Sequence, residues 1–173
     1  MAKKQKIKNG FTLVELLIYI VIVGIVIGSI STFFVLLIQT RAKNQTVSEI
    51  EQQGTQIIEL MTQTLRNATA INSPAIATSG STLSLNVSDL SKSPTVFDIS
   101  GSEIRITEGA GQPVVLTNTT RLTASNLVFE NLSRPGTAGI VRVHFTLTHI
   151  NSGNRNEFEF AQTFWGSGAL RWK

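Results

Sequence analysis

Residues 11–38 form an almost unbroken apolar run, FTLVELLIYIVIVGIVIGSISTFFVLLI, in which 20 of 28 positions are Leu, Ile, Val or Phe. After Ile38 the apolar residues thin out but keep a helical period. Val47, Ile50, Gly54, Ile57, Met61, Leu65 and Ala68 follow steps of 3, 4, 3, 4, 4 and 3, which draws one amphipathic face. No proline occurs before Pro74, so the pattern predicts one helix from about Thr12 to Asn72, roughly 90 Å long at about 1.5 Å per residue. Its polar face, with Glu49, Glu51, Glu59, Gln63 and Arg66, reads as solvated or as a contact with other chains.

Beyond Pro74 the period changes from 3.6 to 2, broken by clusters of Ser, Gly, Pro and Asn, the mark of short strands and turns. Leu83, Leu85 and Val87 alternate with polar residues, as do Ile104 and Ile106; Val96, Phe97 and Ile99 follow Pro94, and Val114 to Leu116 follow Pro113. Leu127 and Phe129 come next, then Val141, Val143, Phe145 and Leu147 against Arg142, His144, Thr146 and Thr148, then Phe158, Phe160 and Phe164. Such alternation predicts antiparallel strands with one buried face. The helix stripe is its natural partner, so the expected fold is α+β, one long N-terminal helix packed against an antiparallel β-sheet domain. Expected divisions are residues 1–10, a basic leader; 11–38, an apolar helix half; 39–72, an amphipathic helix half; and 73–173, a β-rich head.

Charge changes the picture only at the amino terminus. The formal +4 of the 173-residue chain equals the four lysines at positions 3, 4, 6 and 8, and residues 1–10 contain no acid. Without them the chain is neutral, so its net charge indicates no nucleic-acid partner. Cysteine is absent, which excludes disulfides, thiolate nucleophiles and Cys-based metal sites.

The leader precedes the apolar run, and no Ala-x-Ala-like site follows it, where Gln39, Thr40, Arg41 and Ala42 stand. This is not the order of an ordinary signal peptide. The run is long enough for a tilted membrane span. The lysines place the amino terminus in the cytoplasm and the remainder across the membrane, against a weaker counter-signal from Arg41 and Lys43. Within the run stands one acid, Glu15. Insertion scales assign it roughly 2.5 to 3.5 kcal/mol at a helix centre, against a gain of roughly 6 to 12 kcal/mol from the 20 large apolar residues. The segment inserts despite Glu15, and an acid kept there points to function.

Gly10, Phe11, Thr12, Leu13 and Glu15, followed by LLIYIVIVGIVIG, resemble the type IV pilins and pseudopilins. Their precursors carry a basic leader, Gly before the cut, Phe after it, and Glu at the fifth mature position. The resemblance implies that a prepilin peptidase cuts between Gly10 and Phe11 and that the new Phe11 amino group is N-methylated. Gly10 suits the role because a residue without a side chain lets backbone enter a protease cleft. After such a cut the Phe11 ammonium is a cation inside a filament core, and Glu15 of a neighbouring subunit can neutralise it. At about 4 Å and an effective dielectric of about 20 the attraction is roughly 4 kcal/mol before desolvation, so its main contribution is register. The simpler alternative pairs Glu15 with leader lysines at the headgroups. Gly24 and Gly28 form a small-xxx-small pair that admits a second helix, or are ordinary membrane-helix glycines. Many major pilins carry a proline in the second half of the apolar segment; here Ser29 to Thr40 has none. The later stretches LRNATAI, NLVFENLSR, VRVHFTLTH and AQTFWGSGALRW are similar in texture to J-type minor pseudopilins.

Little else suggests chemistry. His144 and His149, five apart, face opposite sides of one strand and read as exposed strand residues. Asp89 and Asp98 are too isolated for a calcium loop. Gly109 to Pro113 lacks the Lys and Ser/Thr of a phosphate loop and reads as a turn. Glu157 and Glu159 share one strand face and read as a solvated edge. Phe164 reads as core, whereas Trp165 and Trp172 are available for a ligand or partner. Five Asn-x-Ser/Thr sequons fit the composition. The expectation is therefore a non-enzymatic filament subunit without cofactor or metal, a minor pseudopilin or minor pilin of a type IV pilus or type II secretion-like machine. Its expected partners are the prepilin peptidase, other pilin or pseudopilin subunits, the inner-membrane assembly platform and, before assembly, membrane lipid. Rival readings are a main fibre subunit and a DNA-uptake or adhesive tip; the tip would use Arg105, Arg121, Arg142 and Arg155.

Overall fold

The computed structural model describes residues 10–171; the expected leader up to Asn9 and the tail residue Trp172 lie outside them. A single helix, α1 (Leu13–Asn67), is followed by nine strands: β1 (Ala68–Ser73), β2 (Ser79–Gly80), β3 (Leu83–Val87), β4 (Thr95–Ser100), β5 (Glu103–Glu108), β6 (Val114–Val115), β7 (Leu122–Asn131), β8 (Ile140–His149) and β9 (Ala161–Ala169). The chain divides into two units at Arg41 and Ala42.

The first unit, as described, consists of Gly10–Thr12 and the first part of α1, and every residue from Gly10 to Arg41 is exposed. The helix continues without interruption through Ser29 to Thr40. Hydroxyls in this stretch donate back to carbonyls one turn earlier: Ser29 to Ile25 at 2.9 Å, Ser31 to Ile27 at 2.9 Å, Thr32 to Gly28 at 3.0 Å and Thr40 to Leu36 at 2.9 Å. Polar side chains in an apolar helix thereby meet their own hydrogen-bonding needs, as a lipid environment demands.

The second unit holds the core. Its strands form two antiparallel sheets, β1-β3-β4-β5-β6 and β2-β7-β8-β9, where alternation alone had suggested one β-sheet domain. Ile50, Ile57, Met61 and Leu65 of α1 pack with Leu83, Leu85, Phe97 and Ile104 from the first sheet and with Phe129, Val141, Phe145 and Leu147 from the second. β8 shows the inward alternation in full, with Val141, Val143, Phe145, Leu147 and His149 buried. In β7 the inward set shifts from Leu122 and Ala124 to Leu127, Phe129 and Asn131. A break in register between Ser125 and Val128 with Asn126 at φ 54° supplies the extra residue, and Asn tolerates that left-handed conformation.

α1 lies on β9 through glycines. A Cβ on Gly54 would stand 2.1 Å from the Phe164 ring, one on Gly166 2.8 Å from Ile58, and one on Gly168 3.2 Å from Leu65. Helix backbone and strand backbone can approach this closely only because these side chains are missing.

Four sequence expectations need correction. α1 ends at Asn67, not Asn72, because residues 68–73 pair with β3, Ala70 opposite Asn86 and Ile71 opposite Leu85. Ala68 keeps the helical period and is buried, but as the first strand residue. Phe158 and Phe160 precede β9 and do not belong to it; Asn156–Phe158 is a 3₁₀ turn. Glu157 lies in that turn, where its own backbone amide and Arg155 hold its carboxyl below the ordinary range, so Glu157 and Glu159 do not share a strand face. His149 is buried, its ring stacked on Phe158 at 5.5 Å, and it is not an exposed strand histidine.

Candidate functional site

The start of α1 is built by Thr12. Its carbonyl accepts the first helical hydrogen bond, from the Leu16 amide at 3.1 Å, and its hydroxyl accepts from the Glu15 amide at 3.3 Å. Thr12 is therefore the N-cap and Glu15 the third helical residue, the spacing of a capping box. Gly10 and Phe11 stay outside the helix and are exposed, accessible to an enzyme. Thr12-x-x-Glu15 is a cap signal legible in the sequence itself.

That position suits a carboxylate, since the first turn carries the positive end of the helix dipole. Among the described residues Glu15 has no ion-pair partner; the pairs formed are Lys92–Glu108, Arg105–Asp98, Arg121–Glu49, Arg142–Glu130 and Arg155–Glu157. The Glu15 carboxylate therefore faces outward from the same end of the helix as the exposed Phe11, which is 70% exposed. Pairing of Glu15 with leader lysines falls outside the described residues. Gly24 and Gly28 lie further along the helix, and a Cβ added to either would meet nothing within 4 Å.

The other candidates do not converge on this end. Each arginine proposed for a DNA-uptake tip is engaged: Arg105 is bidentate to Asp98 at 2.9 and 2.8 Å, Arg121 pairs with Glu49 at 3.2 Å, and Arg142 and Arg155 pair with Glu130 and Glu157. A cavity of about 1,050 Å³ beyond the end of α1 is lined by Arg66, Asp89, Lys92, Glu108, Arg134 and Arg171, with no histidine. Among the described residues no three of His, Asp and Glu gather as a metal site. His144 lies on the outer face of β8, stacked on Trp165 at 4.3 Å, and Phe164 is core.

Comparison with known proteins yields one match. The prokaryotic N-terminal methylation motif covers residues 5–31, a span that holds Gly10, Phe11, Glu15, Gly24 and Gly28. No curated protein and no solved structure matches the chain.

Proposed function

We propose that this chain, whose N-terminal methylation motif and long apolar helix fit the type IV pilin and pseudopilin family, is a filament subunit cut after Gly10 and methylated on Phe11. The motif implies processing by a prepilin peptidase and assembly with other pilins. One observation carries the reading: from Gly10 to Arg41 the helix start and the apolar run are exposed along their whole length, with one acid in the first turn. A continuous apolar surface of this size is not left in water. Before assembly lipid covers it, with the amino terminus in the cytoplasm and the head outside; after extraction by the inner-membrane assembly platform, helices of other subunits do.

In the assembled state Glu15 meets the Phe11 ammonium of an adjacent subunit and sets the axial register. A pair buried between helices adds little net stability but penalises every misregistered alternative, in which one charge stays unpaired. Gly24 and Gly28 give the neighbouring helix its closest approach. The head performs no catalysis. Within the family a minor pseudopilin or minor pilin of a pilus or type II secretion-like filament fits the J-type texture of its β-rich head; counting subunits per filament separates this from a main fibre subunit. Glu15→Val is expected to be cut normally and to fail in assembly, measured as processed protein in membranes and its loss from sheared filaments. Normal incorporation of Glu15→Val overturns the role of Glu15.

A further inference from the structure

The two sheets expose four edges, and three of them are guarded. β2 and β6 are two residues long, and β1 carries two breaks in register and runs into Pro74. Short strands, bulges and prolines are the usual protections of a sheet edge. β9 has none. Its nine residues, AQTFWGSGA, contain no charge and no proline, and they pair with β8 in unbroken register from Ala161 opposite Thr148 to Ala169 opposite Ile140. Among the described residues β9 has no second strand neighbour, so about half of its backbone N–H and C=O groups point outward.

A side-chain anchor lies at the middle of the same strand. Trp165 is 60% exposed, the one exposed aromatic among the described residues of the second unit. Its ring is held by the stack on His144, with the Arg142 guanidinium 6.0 Å from its centre. A rigid indole beside an arginine is the usual composition of an interface hot spot, and its ordering cost is already met before binding.

We propose that β9 is completed by an extended, uncharged segment of a different filament subunit, added as a fifth strand of the β2-β7-β8-β9 sheet and packed over Trp165. Only extended backbone satisfies a row of alternating amide and carbonyl groups. A second copy of this chain pairing through its own β9 fits poorly. Gly54, Ile58 and Leu65 of α1 stand beside Phe164, Gly166 and Gly168 in that order, so α1 and β9 run in the same direction. Symmetric pairing of two β9 edges is antiparallel, which would set the two helices against each other, whereas subunits of a polar filament keep them aligned.

This inference rests on the filament reading, and the test separates the two. Hydrogen exchange is measured on the full-length chain, isolated in detergent and incorporated in sheared filaments. Residues 161–169 are expected to exchange at least about tenfold more slowly in filaments. Because the chain has no cysteine, Thr163→Cys and Ser167→Cys each place a single photoreactive maleimide label beside the edge. The expected adduct joins a different filament subunit through an uncharged extended peptide. Unchanged exchange in filament-borne chain, or adducts only with a second copy, overturns the strand pairing alone. Absence of the chain from every filament overturns the filament reading and the pairing with it.

Discussion

Two sets of glycines on this chain are used in opposite ways. Gly54, Gly166 and Gly168 are filled by their own molecule: the Phe164 ring, Ile58 and Leu65 occupy the space a Cβ would need. Gly24 and Gly28, on the same helix as Gly54, face space that no described residue enters within 4 Å. The head has a buried core, whereas the first 32 described residues have buried nothing. The helix is packed along one part and bare along another, and the bare part carries most of the prokaryotic N-terminal methylation motif.

The contrast can be broken most severely at Gly10. Gly10→Leu should leave the fold untouched, because among the described residues nothing lies within 4 Å of a Cβ at that position, yet block the cut entirely; a gel showing normal processing would remove the cleavage assignment. Next comes Phe145→Ala, which empties the centre of the head. Its side chain is fully buried, so a loss of about 3 to 5 kcal/mol is expected in denaturant unfolding, with processing unaffected. The smallest effect compares glycines directly. Gly54→Ala gains about 1 kcal/mol of helix propensity but drives a Cβ into the buried Phe164 ring, an overpacking cost of about 1 to 3 kcal/mol, so the head should be destabilised by up to about 2 kcal/mol. Gly28→Ala should leave the head's unfolding midpoint where it is and reduce incorporation into filaments. Equal effects of the two substitutions on head stability would erase the distinction.

What could be read from sequence was what is local in sequence. Gly10, Phe11 and Glu15 lie within six residues, so their pattern is visible without a fold, and the inward residues of β8 follow from alternation alone. Helix length was overread because Ala68 falls on the helical period, while the pairing of Ala70 and Ile71 with β3, which ends the helix, joins residues about fifteen apart. Phe158 and Phe160 keep the strand period up to Phe164, but the turn around Asn154 and the 3₁₀ turn at Asn156–Phe158 delay the strand to Ala161. The division into two sheets, and with it the open edge of β9, depends on which strands find each other across the chain, such as β2 with β7. Alternation does not encode that choice.

On the proposed reading the chain is shortened and methylated so that residues 11–38 can be covered by other subunits. Intact-mass measurement of the protein extracted from membranes tests it most directly. The expected species begins at Phe11, lacks residues 1–10 and carries one added methyl group on its amino terminus. A full-length, unmodified chain in cells with an active prepilin peptidase would contradict it.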